Sequence, residues 1–122
     1  MKILVTGSDG QLAGKIRELS GTTNELKFIF ASKDKLDITD TTELQRFFTS
    51  EKIDILINCA GYTNVDGAES TYQQANKVNN VAVKEISSLS KTYNFIFVHI
   101  STDYVFDGSK GGHIKRKTKL IP

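Results

Sequence analysis

Two short stretches hold side chains or glycines at spacings that could do chemistry. In HISTDYVFDG (residues 99–108) a hydroxyl, a carboxylate and a phenol, on Thr102, Asp103 and Tyr104, stand in a row where an apolar run passes into a polar loop. Together they can hydrogen-bond and orient a polar reactant. In TGSDGQLAG (6–14) glycines recur between an apolar run and a helical pattern. Gly7 permits a tight turn, and Gly10 lets backbone amides approach a pyrophosphate. A helix beginning near Gln11 offers that group free N–H donors and a positive dipole end. The spacing is G-x-x-G-x-x-A. Glycine turns also join strands to helices with no ligand present, but a place directly after the first strand favours the nucleotide reading.

The rest of the chain must position these two stretches. KILVT (2–6), LKFIFA (26–31), IDILINCA (53–60) and NFIFVHIS (94–101) are apolar runs with strand character. Between them, GQLAGKIREL places Leu12, Ile16 and Leu19 on one helical face. Asp40 with Glu43 three positions on makes a capping-box-like start for a helix carrying Leu44, Phe47 and Phe48. From 72 to 93, Ala75, Val78, Ala82, Ile86, Leu89 and Tyr93 recur at steps of three or four, as a long amphipathic helix requires. Strands too apolar to have a wet face, alternating with helices, predict a doubly wound, Rossmann-like α/β parallel sheet. A short extra strand at Leu36 to Ile38 would give the order 3-2-1-4-5.

At 122 residues, with 39% apolar and 25% charged side chains, the chain has the size and mix of one compact domain. No apolar run approaches the roughly 20 residues of a membrane span, and no signal peptide is visible. The single cysteine, Cys59, excludes an internal disulfide and suits a reducing, cytoplasmic setting. Its apolar neighbours mark an inert core thiol. The net charge of +2 conceals a division: five of the 16 basic residues follow Asp107, leaving 11 basic against 14 acidic groups before it. Residues 1–108 read as a dinucleotide-binding domain, an incomplete Rossmann unit, and 109–122 as a solvated basic loop or tail. Neither a nucleic acid, a membrane nor a metal is expected as a partner. His99, inside a strand, reads as a core or helix-facing residue and not as a base.

In such sheets the ligand lies across the carboxyl ends of the strands, beside the first. The tip of the second strand then distinguishes the cofactors. An acid there would hold the ribose hydroxyls of NAD. Ser32 and Lys33 stand there instead and suit a 2′-phosphate, so NADP(H) is favoured, while Asp34 leaves NAD(H) open and Lys33 has an alternative reading as a surface charge. Asp37 and Ile38 are placed to border an adenine.

ILVTGSDGQLAG, LDITD, ILINCAGYTNVDGAES, VNNVAV and HISTDYVFDGSKGG together resemble dTDP-4-dehydrorhamnose reductase, a branch of the extended short-chain dehydrogenase/reductases. The likeness covers positions 1 to about 113. It implies NADP(H)-dependent hydride transfer to the ketone of dTDP-4-dehydro-L-rhamnose, yielding dTDP-L-rhamnose for nucleotide-sugar and cell-surface polysaccharide synthesis. By the same resemblance the cofactor falls on Gly10, Gln11, Leu12, Asp37, Ile38, Ala60, Gly61 and Tyr62. Thr102 matches the hydroxyl of the catalytic triad. Thr102 and Asp103 match the substrate contacts, and Tyr104 shapes the sugar side. Ala13 stands where a third glycine is usual, and Gly61 where alanine is common.

Ketone reduction also needs a proton donor, which in this family is a tyrosine whose pKa a lysine four residues later lowers. The tyrosines here are 62, 72, 93 and 104, and the residues four on are Asp66, Asn76, Phe97 and Gly108. By the resemblance, the Tyr/Lys pair would fall just beyond Pro122, with two further strands and the sugar-nucleotide pocket. The expectation is therefore a cofactor-site portion of the reductase that does not catalyse alone. The alternatives are a non-catalytic nucleotide-binding or regulatory module and a structural remnant that binds nothing. The far edge of FIFVHIS would lack a neighbouring strand, and such apolar edges recruit partners, so self-association is expected.

Overall fold

The computed structural model of the chain describes residues 1–61 and 72–100. The order of elements is β1 (Lys2–Thr6), α1 (Gln11–Ser20), β2 (Lys27–Ala31), α2 (Thr41–Ser50), β3 (Ile55–Asn58), α3 (Tyr72–Asn76), a π-helical turn (Lys77–Val81), α4 (Ala82–Tyr93) and β4 (Ile96–His99). The four strands form one parallel sheet in the order β2-β1-β3-β4. Strands consecutive in the chain are separated by helices, and α1 packs on one face of the sheet while α2 and α4 pack on the other, which is the doubly wound arrangement.

Strand register explains the burial. Leu4, Ile29, Leu56 and Phe97 align across one face, against which α2 sets Leu44 and Phe48 and α4 sets Ile86 and Leu89. Leu4, Leu44, Leu56 and Ile86 are completely buried there. Each contributes about 1.5–3 kcal/mol relative to an exposed position. On the other face, Ile3 and Val5 pack with Ala13 and Ile16 of α1 and with Phe28, Phe30, Ile55 and Ile57. The Arg17 guanidinium lies 4.7 Å above the Phe30 ring. Towards β4 this second face opens: Ile96 is 61% exposed and Val98 39%.

Two expectations need correction. Leu12 and Leu19 share a face with Ile16 but are 44% and 67% exposed, because α1 meets the sheet through Ala13, which is fully buried. Leu36 and Ile38 are buried as a strand would bury them, yet no strand forms there. The backbone is committed locally instead: Lys35 and Leu36 N–H donate to Ser32 O, and Asp40 N–H to Asp37 O. Asp37 Oδ1 also accepts from the Thr39 N–H and hydroxyl, at 2.9 and 2.7 Å. These turns use groups that a sheet ladder would need. Among the described residues the sheet therefore ends at β2, and the order of the other strands is as expected.

The long helix from 72 to 93 forms with a π turn in its middle and ends at Asn94, whose left-handed φ of 55° closes α4. Asparagine tolerates that conformation better than most residues. Among the described residues no helix is long and apolar enough to cross a membrane.

Candidate nucleotide-binding cleft

All four strands point the same way, so the loops after β1, β2 and β3 and the exit from β4 gather at one end of the sheet. A cleft of about 390 Å³ lies there. The loop after β1 supplies Gly7, Asp9 and Gly10; the turn after β2 supplies Ser32, Lys33, Leu36, Asp37, Ile38 and Thr39. Cys59, Ala60 and Gly61 come from the loop after β3, and Gln74 and Val78 from α3 and the π turn.

Gly7 has a φ of +66°, and a Cβ built on it would meet the Ala60 nitrogen at 2.4 Å and Ala60 Cα at 2.6 Å. The loops after β1 and β3 thus touch backbone to backbone, and only glycine fits between them. Gly10 is different. It has an extended conformation, and an added Cβ would have 3.4 Å to its nearest neighbour, Gly7 O. Among the described residues the packing leaves room for a side chain there, and Gly10 lines the cleft.

Gly10 is also the N-cap of α1. Among the described residues no side chain caps this helix, and no acid stands in its first turn. The start of α1 therefore offers N–H donors and the positive end of its dipole at the mouth of the cleft. Across from it stands the exposed Lys33. The start of α1 and Lys33 bring positive ends to a cleft that also holds the carboxylates of Asp9 and Asp37, and a glycine loop at a helix start is a shape that a diphosphate can occupy.

Asp37 shows competing influences. Burial alone would raise its pKa, but the hydrogen bonds from Thr39, with Lys33 and Lys77 nearby, outweigh it and hold the carboxyl below its ordinary value. It lines the cleft as an anion already engaged. Burial pushes the Cys59 thiol up, in keeping with an unreactive cysteine.

Of the residues singled out in the sequence, Gly7, Gly10, Ser32, Lys33, Asp37, Ile38, Ala60 and Gly61 are brought together at this cleft. The side chains of Gln11 and Leu12 are exposed and do not line it; what they can offer is the backbone N–H at the start of α1. Asp34 does not line it either. Tyr62, Thr102, Asp103 and Tyr104 lie outside the described residues. Ile100 leaves β4 at the same end as the cleft, its N–H donating to Asn58 O. Asp9, Leu36, Thr39, Cys59, Gln74 and Val78 were not anticipated as lining residues. Asp9 sat inside a quoted motif, but Gln74 and Val78 carried only a helical pattern.

The sheet, its crossovers and the cleft at the strand ends define a doubly wound α/β domain of the dinucleotide-binding type. The model of the RmlD substrate binding domain matches residues 1–122, and the chain belongs to that family. It is 38% identical over 110 residues to the dTDP-4-dehydrorhamnose reductase of Burkholderia thailandensis, covering 90% of this chain and 36% of that protein. Among solved structures, a dTDP-4-dehydrorhamnose reductase from Clostridium acetobutylicum superposes with a TM-score of 0.94 at 36% identity, over 100% of this chain and 43% of that one. The Bacillus anthracis dTDP-4-dehydrorhamnose reductase, solved in complex with NADP, superposes with a TM-score of 0.89 at 30% identity, over 99% of this chain and 43% of that one. The chain thus spans less than half the length of these relatives.

Proposed function

We propose that this chain supplies the cofactor-binding part of an NADP(H)-dependent reductase acting on dTDP-4-dehydro-L-rhamnose. The observation that carries the reading is the convergence on one cleft of the Gly7–Gly10 loop, the uncapped start of α1 and Lys33. When bound, the nicotinamide would supply a hydride to the carbonyl carbon of the sugar. The chain's own residues hold and orient. The N–H groups after Gly10 receive the diphosphate, Ser32 and Lys33 the 2′-phosphate, and Asp37 and Ile38 border the adenine, with Ala60, Gly61 and Tyr62 completing the cofactor wall. Thr102 hydrogen-bonds the substrate carbonyl, and Asp103 and Tyr104 contact the sugar. The same resemblance and the NADP-bound relative support this assignment.

Titration of the chain with NADPH and with NADH, followed by cofactor fluorescence, tests it. Saturable binding is expected, tighter for NADPH. Lys33→Glu should erase that preference, weakening NADPH about fivefold to tenfold, the worth of one exposed charge-assisted contact, and leaving NADH nearly unchanged. Failure to saturate with either nucleotide at millimolar concentration would refute the reading.

We also propose that the chain self-associates through β4, an edge strand among the described residues, where Ile96 and Val98, and Ile100 just after the strand, are exposed. Sedimentation velocity should show mass rising with concentration, and a monomer at every concentration would exclude it.

A further inference from the structure

Beneath the cleft, the ends of three strands are joined by polar side chains. The Thr6 hydroxyl donates to Asn58 Oδ1 at 2.7 Å, and the Ala60 N–H donates to the same oxygen at 3.1 Å. On its other side, Asn58 Nδ2 lies 3.2 Å from His99 Nδ1. Thr6 and Asn58 are completely buried, and His99 is half-buried.

The direction of these contacts follows from which groups have protons. A backbone N–H can only donate, so Ala60 must face the amide oxygen of Asn58, and the amide nitrogen then faces His99. That nitrogen also only donates. His99 Nδ1 must therefore carry a lone pair, and the ring proton sits on Nε2.

We propose that neutral His99 is a positioning residue for the nucleotide cleft: by accepting from Asn58 it holds the amide in the orientation that ties down Ala60, and its protonation frees this wall and weakens nucleotide binding. The proposal rests on the cofactor reading above and deepens it. An imidazolium has a proton on Nδ1, so two donors would meet at the Asn58 contact. If the amide turned over to present its oxygen to the ring, its nitrogen would meet the Ala60 N–H. One buried donor loses its acceptor in either arrangement. Ala60 lines the cleft, and its nitrogen is the atom nearest to a Cβ built at Gly7, so a shift there reaches the glycine loop directly.

The surroundings leave the neutral form favoured. Phe97 contacts the imidazole ring at 6.0 Å between centroids. Among the described residues, the ionisable groups on the neighbouring elements are Lys77 on the π turn, Lys84, Glu85, Lys91 and Tyr93 on α4, Asp54 just before β3 and Cys59 just after it. Among the described residues none contributes to the shift of the ring's pKa, which burial lowers from 6.5.

The experiment follows the NADPH Kd of the 122-residue chain from about pH 8 to about pH 5, together with the 15N shifts of the His99 ring and the exchange protection of the Ala60 amide. The expected result is the Nε2–H tautomer at neutral pH, with Kd rising at least about fivefold and Ala60 protection falling through one inflection below pH 6.5. His99→Asn places an amide oxygen near the position of Nδ1 and does not titrate; it should abolish both inflections while holding Ala60. His99→Leu, without an acceptor, should loosen Ala60 and raise Kd across the whole range. A ring protonated on Nδ1 at neutral pH, a flat wild-type Kd, or inflections that persist in His99→Asn would overturn the proposal. Absence of NADPH binding at every pH would instead overturn the cofactor reading, and the tautomer and Ala60 protection would then decide the contact on their own.

Discussion

The helices α1 and α2 each follow a strand of the same sheet, and they begin in opposite ways. At α2 the N-cap is Asp40, whose Oδ1 accepts the Glu43 N–H at 3.1 Å, and Glu43 adds a second negative charge to the first turn. Just before it, Asp37 accepts two further hydrogen bonds from Thr39. At α1 the N-cap is Gly10, with no side-chain cap and no acid in the first turn. One helix start is closed by the chain's own carboxylates. The other has no such cap among the described residues and opens on the cleft, where an anion would be favoured. The contrast is between a helix start capped by the chain's own side chains and one that is not.

The largest effect that tests this contrast belongs to the loop itself. Gly7→Ala should destabilise the chain by about 2–4 kcal/mol in urea unfolding, since the new methyl group would enter the Ala60 backbone at a positive φ. Stability unchanged by that substitution would mean that the loops after β1 and β3 do not meet as described. Next comes Gly10→Asp, which gives α1 the kind of cap that α2 has. It should leave stability equal or raise it by a few tenths of a kcal/mol, while weakening NADPH at least about tenfold through repulsion. Opposite signs in the two measurements are the signature of a helix start kept open for an anion.

Asp40→Ala should do the reverse, lowering stability by about 1 kcal/mol with no change in NADPH affinity. The smallest effect concerns Asp37. Its folded pKa lies below the ordinary 3.8, so its contribution to stability is complete above that value and is lost as pH falls through the folded pKa. Acid unfolding followed downward from pH 3.8 should be less steep in Asp37→Asn than in the wild type. Identical acid limbs would show that the Thr39 hydrogen bonds do not favour the ionised carboxyl.

Much of this arrangement was legible along the chain because it is local. Asp40 and Glu43 three residues apart announced the cap of α2, and the apolar runs announced four strands. LDI at 36–38 misled, because apolar residues flanking a polar one suit either a strand or a turn folded onto the core; the hydrogen bonds from Ser32 and Asp37 choose the turn. Leu12 and Leu19 misled for another reason: helical periodicity shows which residues share a face, not whether another element covers it. Gln74 and Val78 had no local signal of a role at the cleft, since only the path of the crossover helix brings them there.

The amino-acid sequence by itself determined the alternation of strand and helix, the parallel sheet that follows from it, and the glycine loop before α1, all of which depend on periods and dipeptides within a few residues. The tertiary structure alone decided that Gly7 has no room for a side chain, that the start of α1 and Lys33 share one cleft, and that Asn58 faces Ala60 with its oxygen and His99 with its nitrogen. The physical reason is distance along the chain. Thr6 and Asn58 are 52 residues apart and Asn58 and His99 are 41, and the direction of a hydrogen bond between such partners exists only once the strands that carry them are paired.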